Sequence, residues 1–174
     1  MISIIVGTNR PNSFSRVFAQ YYHELLTSRG IVSNILDLHD LPDDFTTSAL
    51  YEKSGKNGQF NKLQELIEQS QKLVFVVPEY NGSFPGVLKA FIDGLKYPHS
   101  FSGKKCALVG LSSGGQGGGL ALSHLTDILN YMGMHVLALK PKLSRIEENW
   151  GDNLLRNNQY QRVIERQIDQ LLEF

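Results

Sequence analysis

Three hydroxyl side chains and an arginine follow the first apolar run of the chain, in the stretch SIIVGTNRPNSFSR at residues 3–16. The β-branched run at residues 4–6 is typical of a strand covered on both faces. From residue 17 onward, apolar side chains recur at helical spacing. The three hydroxyls are those of Thr8, Ser13 and Ser15, and the arginine among them is Arg10. Free backbone N–H groups and the dipole at a helix N-terminus favour an anion such as phosphate there.

Two interpretations of this loop remain open from its residues alone. Ser13 is of the type that caps a helix N-terminus, and Arg10 has the character of a solvated loop charge. The stretch contains neither the G-x-G-x-x-G pattern of dinucleotide-binding folds nor the Gly-Lys-Ser/Thr of a P-loop. If a phosphate binds here, hydroxyls and amides hold it without a P-loop lysine. Such a cradle suits a monophosphate better than a metal-bound triphosphate.

Two further loops of unusual composition follow later apolar runs. The run at 72–77 leads into PEYNGSFPG at residues 78–86, and the run at 105–111 leads into SSGGQGGG at residues 112–119. The many glycines of the second loop indicate that a ligand or another stretch of backbone approaches it closely. Apolar side chains at helical spacing follow each loop, so each is predicted to join a strand to a helix.

Predicted strands alternate with predicted helices along the chain. The strands are expected at 4–6, 31–38, 72–77, 105–111 and 134–139, and the helices at 17–29, 59–71, 88–95, 119–132 and 153–174. This alternation predicts one α/β domain over residues 1–174, with a five-stranded parallel sheet and helices on both faces. It matches the flavodoxin-like three-layer fold with strand order 2-1-3-4-5, in which ligands bind beyond the carboxyl ends of the strands. The three polar loops are expected to meet at that edge.

Two segments without periodicity are predicted to be loops. Residues 40–57 carry Phe45 and Tyr51 as exposed aromatics, which favours a lid or a partner surface. Residues 141–152 include Trp150, a candidate for packing on a partner subunit. Lys89 and Asp93 are four residues apart on a predicted helix, a spacing typical of an exposed ion pair.

Composition and charge exclude several classes of function. The chain has 174 residues and a formal net charge of zero, so charge gives no indication of nucleic-acid or membrane binding. Cys106 is the only cysteine, which indicates a reducing compartment, and we expect a cytoplasmic protein with a buried, inert thiol. We expect no metal site, because the histidines lack ligand spacing and are predicted to be surface or loop residues: His23, His39, His99, His124 and His135.

At its three polar loops the chain resembles the NAD(P)H-dependent FMN reductase family, flavodoxin-like flavoproteins that include quinone, azo-dye and chromate reductases. GTNRPNSFS at residues 7–15 is similar to the family pattern G-S-x-R-x-x-S-x-S/N, with Thr8 in place of serine. PEYNGSFPGVLKAFID at residues 78–93 is similar to P-E-Y-N-x-S-x-P-G-x-L-K-N-x-I-D, with Ala90 in place of asparagine. The Ser- and Gly-rich loop at 112–119 is a looser match. The resemblance runs from residue 2 to about residue 139.

The resemblance implies bound FMN, with NADPH or NADH as co-substrate and a flavin, quinone or similar small molecule as electron acceptor. The residues implied for the phosphate end are Thr8, Arg10, Ser13, Ser15 and Arg16, and those implied for the isoalloxazine are Pro78, Glu79, Tyr80, Asn81, Ser113, Gly114 and Gly115. No catalytic side chain is assigned, because the cofactor supplies the hydride chemistry. We expect a ping-pong mechanism, since one site would serve both substrates in turn. The family also implies a homodimer or homotetramer.

Two other functions are compatible with the same residues. A flavodoxin-type electron carrier would dock on protein partners, but such carriers are usually strongly acidic, and this chain has zero net charge. A flavin-binding regulatory protein without turnover needs no signature side chain, so the sequence leaves that alternative open.

Overall fold

A computed structural model describes residues 1–96 and 100–174 of the chain, so the prediction for His99 lies outside the described residues. Its central sheet is parallel, with the order β2-β1-β3-β4-β5, and a short strand β6 also pairs with β4. The strands of the sheet are β1 (Ile2–Val6), β2 (Ser33–Asp37), β3 (Lys72–Pro78), β4 (Lys105–Leu111), β5 (His135–Val136) and β6 (Lys142–Leu143). This order confirms the predicted flavodoxin-like topology.

Helices cover both faces of the sheet. They are α1 (Phe14–Ser28), α2 (Phe45–Ser48), α3 (Gly58–Gln69), α4 (Gly86–Gly94), α5 (Gly119–Tyr131) and α6 (Asn158–Glu173). Side chains of α1 and α6 share one buried cluster with alternate residues of the strands, while α3, α4 and α5 share the other. Within residues 1–96 and 100–174, no helix has the length and apolar character required to cross a bilayer.

The fifth strand is shorter than predicted. The prediction covered residues 134–139, but β5 comprises only His135–Val136, and the chain pairs with β4 again at β6. The Leu108 carbonyl of β4 accepts instead from the side chain of Gln167 on α6, at 2.9 Å. Pro141, which has no backbone N–H, follows the gap. The side chain of a helix thus replaces strand pairing at this position.

The last helix begins later than predicted. The prediction started it at residue 153, but α6 starts at Asn158, and a hairpin of β7 (Trp150–Gly151) and β8 (Leu154–Leu155) precedes it. Asp152 and Asn153 have φ values of 53° and 60°, which is typical of a two-residue hairpin turn. Asn157 then caps α6 by accepting from the backbone of residues 159 and 160. Helical spacing of apolar residues did not distinguish this hairpin from a helical turn.

The segment at 40–57 also differs from its prediction. It contains the short helix α2, and Phe45 is buried at 7% exposure and stacks on Phe60 with ring centroids 6.2 Å apart. The prediction of an exposed Phe45 was therefore wrong, because a short helix turns this ring into the core. Tyr51 is 82% exposed, as predicted. The predicted ion pair of Lys89 with Asp93 is present, at 2.6 Å.

The side chain of Gln167 on α6 is buried and fully hydrogen-bonded. Gln167 is fully buried, donates to the carbonyls of Leu108 and Leu139 at 2.9 Å each, and accepts from the Tyr22 hydroxyl. Burial raises the pKa of the Tyr22 phenol. Burial likewise raises the pKa of the Cys106 thiol to about 12, as expected for an inert buried cysteine. The hydrogen bonds of Gln167 therefore replace the strand pairing that is missing between β5 and β6.

We predict that Gln167→Leu lowers the free energy of unfolding by about 2–4 kcal/mol, because the buried carbonyl of Leu108 and the partly buried carbonyl of Leu139 lose their donor. Urea denaturation followed by far-UV circular dichroism measures this change. Gln170→Leu on the same helix is the matched control, since Gln170 is partly exposed and forms no side-chain hydrogen bond within the described residues. Equal effects of the two substitutions would contradict the role given to Gln167.

Candidate functional site

A cavity of about 190 Å³ lies at the carboxyl edge of the sheet, where the loops after β1, β3 and β4 meet. Its walls combine hydroxyls, charged groups and a few apolar side chains. The lining residues are Arg10, Asn12, Ser13, Phe14, Ser15, Pro78, Glu79, Tyr80, Leu111, Ser112, Ser113, Ile146 and Glu147. The convergence of the three loops, predicted from the fold alone, is confirmed.

The loop after β1 ends at the N-terminus of α1. Ser13 is the N-cap, and its hydroxyl oxygen accepts from the backbone N–H of Arg16 at 3.3 Å. This role leaves the hydroxyl proton of Ser13 free to be donated. The backbone amides of Phe14 and Ser15, in the first turn of the helix, have no acceptor within the described residues. Capping and anion binding are therefore compatible at Ser13, and the helix N-terminus offers donors to the cavity.

The loop after β3 forms a tight hairpin. The backbones of Tyr80 and Ser83 exchange hydrogen bonds of 2.8 and 3.1 Å. Asn81 and Gly82 between them have φ values of 51° and 76°, as in a type I′ turn. Asn81 therefore lies exposed at the tip of the hairpin, while Tyr80 lines the cavity. The Asn-Gly pair is required by the turn itself.

Glu79 lies in the wall of the cavity between this hairpin and β4. Its backbone N–H donates to the carbonyl of Leu111 at 3.1 Å, which ties the loop to the neighbouring strand. One of its carboxylate oxygens, Oε2, is buried and has no hydrogen-bond partner within the described residues. A buried acceptor without a partner is uncommon in folded proteins. Glu79 therefore has unused hydrogen-bonding capacity at the site.

The glycine-rich loop after β4 has two parts. A Cβ on Gly117 or Gly118 would contact the backbone of Lys142 or Gly110 at 3.0 Å or less, so these glycines permit close backbone packing. A Cβ on Gly114 or Gly115 would meet no atom of the chain within 4 Å. Packing within the described chain thus explains Gly117 and Gly118. Gly114 and Gly115 are open toward solvent or a ligand.

The segment after β6 supplies residues that sequence analysis missed. Ile146 and Glu147 line the cavity, although residues 141–152 were predicted only as a loop. The backbone amides of Arg145 and Ile146 donate to the carbonyls of Gly114 and Ser112, at 3.0 and 3.2 Å. No sequence signal marked this segment, because its position depends on the second pairing of β4. The other lining residues not predicted are Asn12, Phe14, Leu111 and Ser112.

Arg16 lies apart from the other predicted site residues. Its Nε donates to Asp37 Oδ2 at 2.5 Å, and this hydrogen bond raises the pKa of the guanidinium. It lines a second cavity of about 430 Å³ beside Trp150 rather than the cavity at the strand ends. The predicted residues that line the latter cavity are Arg10, Ser13, Ser15, Pro78, Glu79, Tyr80 and Ser113, and those that do not are Thr8, Arg16, Asn81, Gly114 and Gly115.

Trp150 supports the start of α1. Its ring packs edge-on against Phe14 and Tyr21, with centroids 5.3 and 5.4 Å apart. Phe14 in turn lines the cavity. The hairpin of β7 and β8 therefore supports Phe14 through Trp150. The aromatic contacts of Trp150 lie within its own subunit.

The chain is similar in sequence to two named quinone reductases. A quinone reductase from Pseudomonas putida is 33% identical over 123 residues, covering 67% of this chain and 62% of that protein. The match therefore spans slightly less than two thirds of that relative. A 2-hydroxy-1,4-benzoquinone reductase from Burkholderia sp. is 31% identical over 161 residues, covering 85% of this chain and 82% of that protein.

A similar fold occurs in the flavoenzyme NAD(P)H:(acceptor) oxidoreductase FerB from Paracoccus denitrificans. The TM-score is 0.80 at 24% identity, with 99% of this chain and 94% of that chain covered. The sequence model of the NADPH-dependent FMN reductase family matches residues 1–141, which include all three loops of the cavity. The chain therefore belongs to the NADPH-dependent FMN reductase family.

Proposed function

We propose that residues 1–174 form one domain that binds FMN and transfers hydride from NADPH or NADH to a quinone, flavin or similar small acceptor. The observation that carries this proposal is the cavity where three loops of matching sequence meet at a helix N-terminus. The relatives from Pseudomonas putida and Burkholderia sp. are named as quinone reductases, which favours a quinone as acceptor. The single buried cysteine fits a reducing compartment, so we place the protein in the cytoplasm.

We assign the phosphate of FMN to the loop between β1 and α1. Free amides of Phe14 and Ser15, the hydroxyl proton of Ser13 and the side chain of Arg10 provide donors for a dianion. Arg16 is bonded to Asp37 in the structure, so we assign it to the support of α1 rather than to the phosphate. Hydroxyls and amides thus hold the phosphate without a lysine.

We assign the isoalloxazine of FMN to the part of the cavity formed by the loops after β3 and β4. Pro78, Glu79, Tyr80 and Ser113 line it, and the open side of Gly114 and Gly115 permits a flat ring to approach the backbone. Glu79 Oε2, which has no partner in the part of the chain that the structure describes, can accept from a ring or ribityl donor. When bound, FMN supplies the hydride chemistry, and the residues of the chain bind it, orient it and exclude water.

A single site for both substrates favours a ping-pong mechanism. The sequence contains no G-x-G-x-x-G stretch that would hold the nicotinamide nucleotide at a separate site. The nucleotide and the acceptor then use the same open face near Tyr80 and Gly114 in turn. The oxidised nucleotide has to leave before the acceptor binds.

A carrier function is the main alternative. An electron carrier that docks on proteins benefits from a strongly charged face, which steers association. The chain has 17 basic and 17 acidic residues, so its formal net charge gives no such steering. The zero net charge therefore favours small-molecule acceptors over a protein partner.

We predict that Ser13→Asp abolishes the retention of FMN, because a carboxylate at the helix N-terminus lies against the dianionic phosphate and costs several kcal/mol. Folding survives, since aspartate is also a good N-cap. Equilibrium dialysis with FMN, together with thermal unfolding, measures both properties.

Asn157→Asp is the matched control for this substitution. Asn157 caps α6 in the same way as Ser13 caps α1, but it does not line the cavity. It adds the same charge at a helix N-terminus and should leave FMN affinity unchanged. Full FMN occupancy in folded Ser13→Asp protein would exclude the loop as the phosphate site, and failure of the unmodified chain to bind FMN would exclude the proposed function.

We also propose that the protein forms a homodimer or homotetramer through α4 and α5. A groove of about 360 Å³ between these helices is lined by Ile92, Ile128, Tyr131 and Met132 and is flanked by Lys89, Asp93 and Asp127. Tyr131 is 79% exposed beside it. Exposed apolar surface of this kind is typical of an interface between copies of a chain.

Sedimentation velocity at micromolar concentration should therefore detect a dimer or tetramer, and Tyr131→Asp should shift it toward monomer because a charge enters the apolar contact. Tyr51→Asp is the control, since Tyr51 is equally exposed, at 82%, on the segment at 40–57. A monomeric unmodified protein would refute this assembly, and dissociation by Tyr51→Asp alone would place the interface on the other segment.

A further inference from the structure

A buried threonine joins the two ends of the candidate site. Thr8 lies two residues after the end of β1, is only 1% exposed, and is absent from the lining of the cavity. Direct contact with a ligand, which the family resemblance implied for Thr8, is therefore not available in this structure. Its hydroxyl must have another role.

The Thr8 hydroxyl bonds to both neighbouring loops. Its Oγ1 accepts from the backbone N–H of Arg10 at 3.2 Å, on the loop proposed to hold phosphate. The same oxygen lies 2.9 Å from the phenolic oxygen of Tyr80, on the loop after β3. One oxygen atom therefore links the phosphate end of the cavity to the wall formed by Tyr80.

Counting protons sets the direction of the bond between Thr8 and Tyr80. Each hydroxyl has one proton to donate. The Thr8 proton has no other acceptor than the Tyr80 oxygen within the described residues. A buried hydroxyl proton without an acceptor is costly, so the satisfied arrangement has Thr8 donating to Tyr80. The phenolic proton of Tyr80 is then free to be donated into the cavity that Tyr80 lines.

The sheet itself does not require this hydroxyl. The backbone N–H of Gly7 donates to the carbonyl of Val76 at 2.9 Å, which already joins the end of β1 to β3. Valine has nearly the shape of threonine and lacks only the hydroxyl, so Thr8→Val removes that group with little change of volume. The hydroxyl of Thr8 therefore serves the loops and not the core.

We propose that Thr8 is a positioning residue, which fixes the Arg10 amide and orients Tyr80 so that the phenol donates a hydrogen bond to the ligand in the cavity. The inference rests on the proposed function in taking that ligand to be FMN. It predicts that the hydroxyl matters and that the methyl group of Thr8 does not.

The test compares FMN binding by three variants with binding by the unmodified chain. We expect Thr8→Val to raise the Kd for FMN about tenfold, or about 1.4 kcal/mol, and to shift the visible absorption of the bound flavin. Thr8→Ser keeps the hydroxyl and should restore the Kd to within about twofold of the unmodified value. Tyr80→Phe should raise the Kd and shift the same absorption band, because it removes the phenolic donor.

A double-mutant cycle separates this role from a general loss of stability. The Thr8→Val and Tyr80→Phe effects on the Kd should be strongly non-additive, because both remove the same hydrogen bond. Urea unfolding of each variant shows whether it folds. If Thr8→Val does not fold, Tyr80→Phe alone tests the inference. An unchanged Kd for FMN and an unchanged flavin spectrum in Tyr80→Phe would then overturn it.

Other outcomes distinguish the two proposals. If the unmodified chain binds FMN and Thr8→Val binds it with the same Kd, the positioning role is refuted and the proposed function stands. A Thr8→Ser variant as weak as Thr8→Val, or fully additive effects, also refutes it. If the unmodified chain does not bind FMN, the proposed function fails and this inference fails with it.

Discussion

Parallel pairing of β1 with strands on both of its sides is the constraint on which the rest of the structure depends. β1 pairs with β2 on one side and β3 on the other, and the chain reaches them through helices on opposite faces of the sheet. The connections therefore diverge at the carboxyl end of β1 and leave a crevice between the loops. The site residues of the loops after β1, β3 and β4 owe their common position to this divergence, because the carboxyl ends of these parallel strands lie at the same edge of the sheet.

Close backbone packing then shapes the crevice. Gly110 on β4 packs against Gly117 and Gly118 of the following loop. A Cβ on any of these three glycines would meet backbone atoms. Ser112 braces this loop by accepting from the Gly117 amide and donating to the Gly114 carbonyl, at 2.8 Å each. The loop is thus held by its own glycines and one hydroxyl, and its outer part stays open. A bound planar ring would meet a surface that is already organised, which lowers the cost of binding.

Much of the fold and part of the site could be predicted from the sequence because the relevant signals are local. Apolar runs and helical spacing located the first four strands and their helices, and parallel topology then placed the three loops together. The remainder depended on contacts between distant residues. Gln167 replaces strand pairing 59 residues away at Leu108, Asp37 engages Arg16, and the second pairing of β4 brings Ile146 to the cavity. No local pattern encodes these contacts, so the short length of the fifth strand, the ion pair of Arg16 with Asp37 and the last wall of the cavity were beyond prediction.

The account therefore depends on the cavity acting as a site of hydride transfer to a bound flavin and not only as a flavin-binding pocket. Anaerobic addition of NADPH or NADH to the FMN-loaded protein, followed by visible absorption, tests this most directly. The account predicts that the flavin is bleached before any acceptor is added and recovers its colour when a quinone follows. A flavin that stays oxidised with both nucleotides, yet is reduced by an external reductase, would contradict it and would favour an electron carrier.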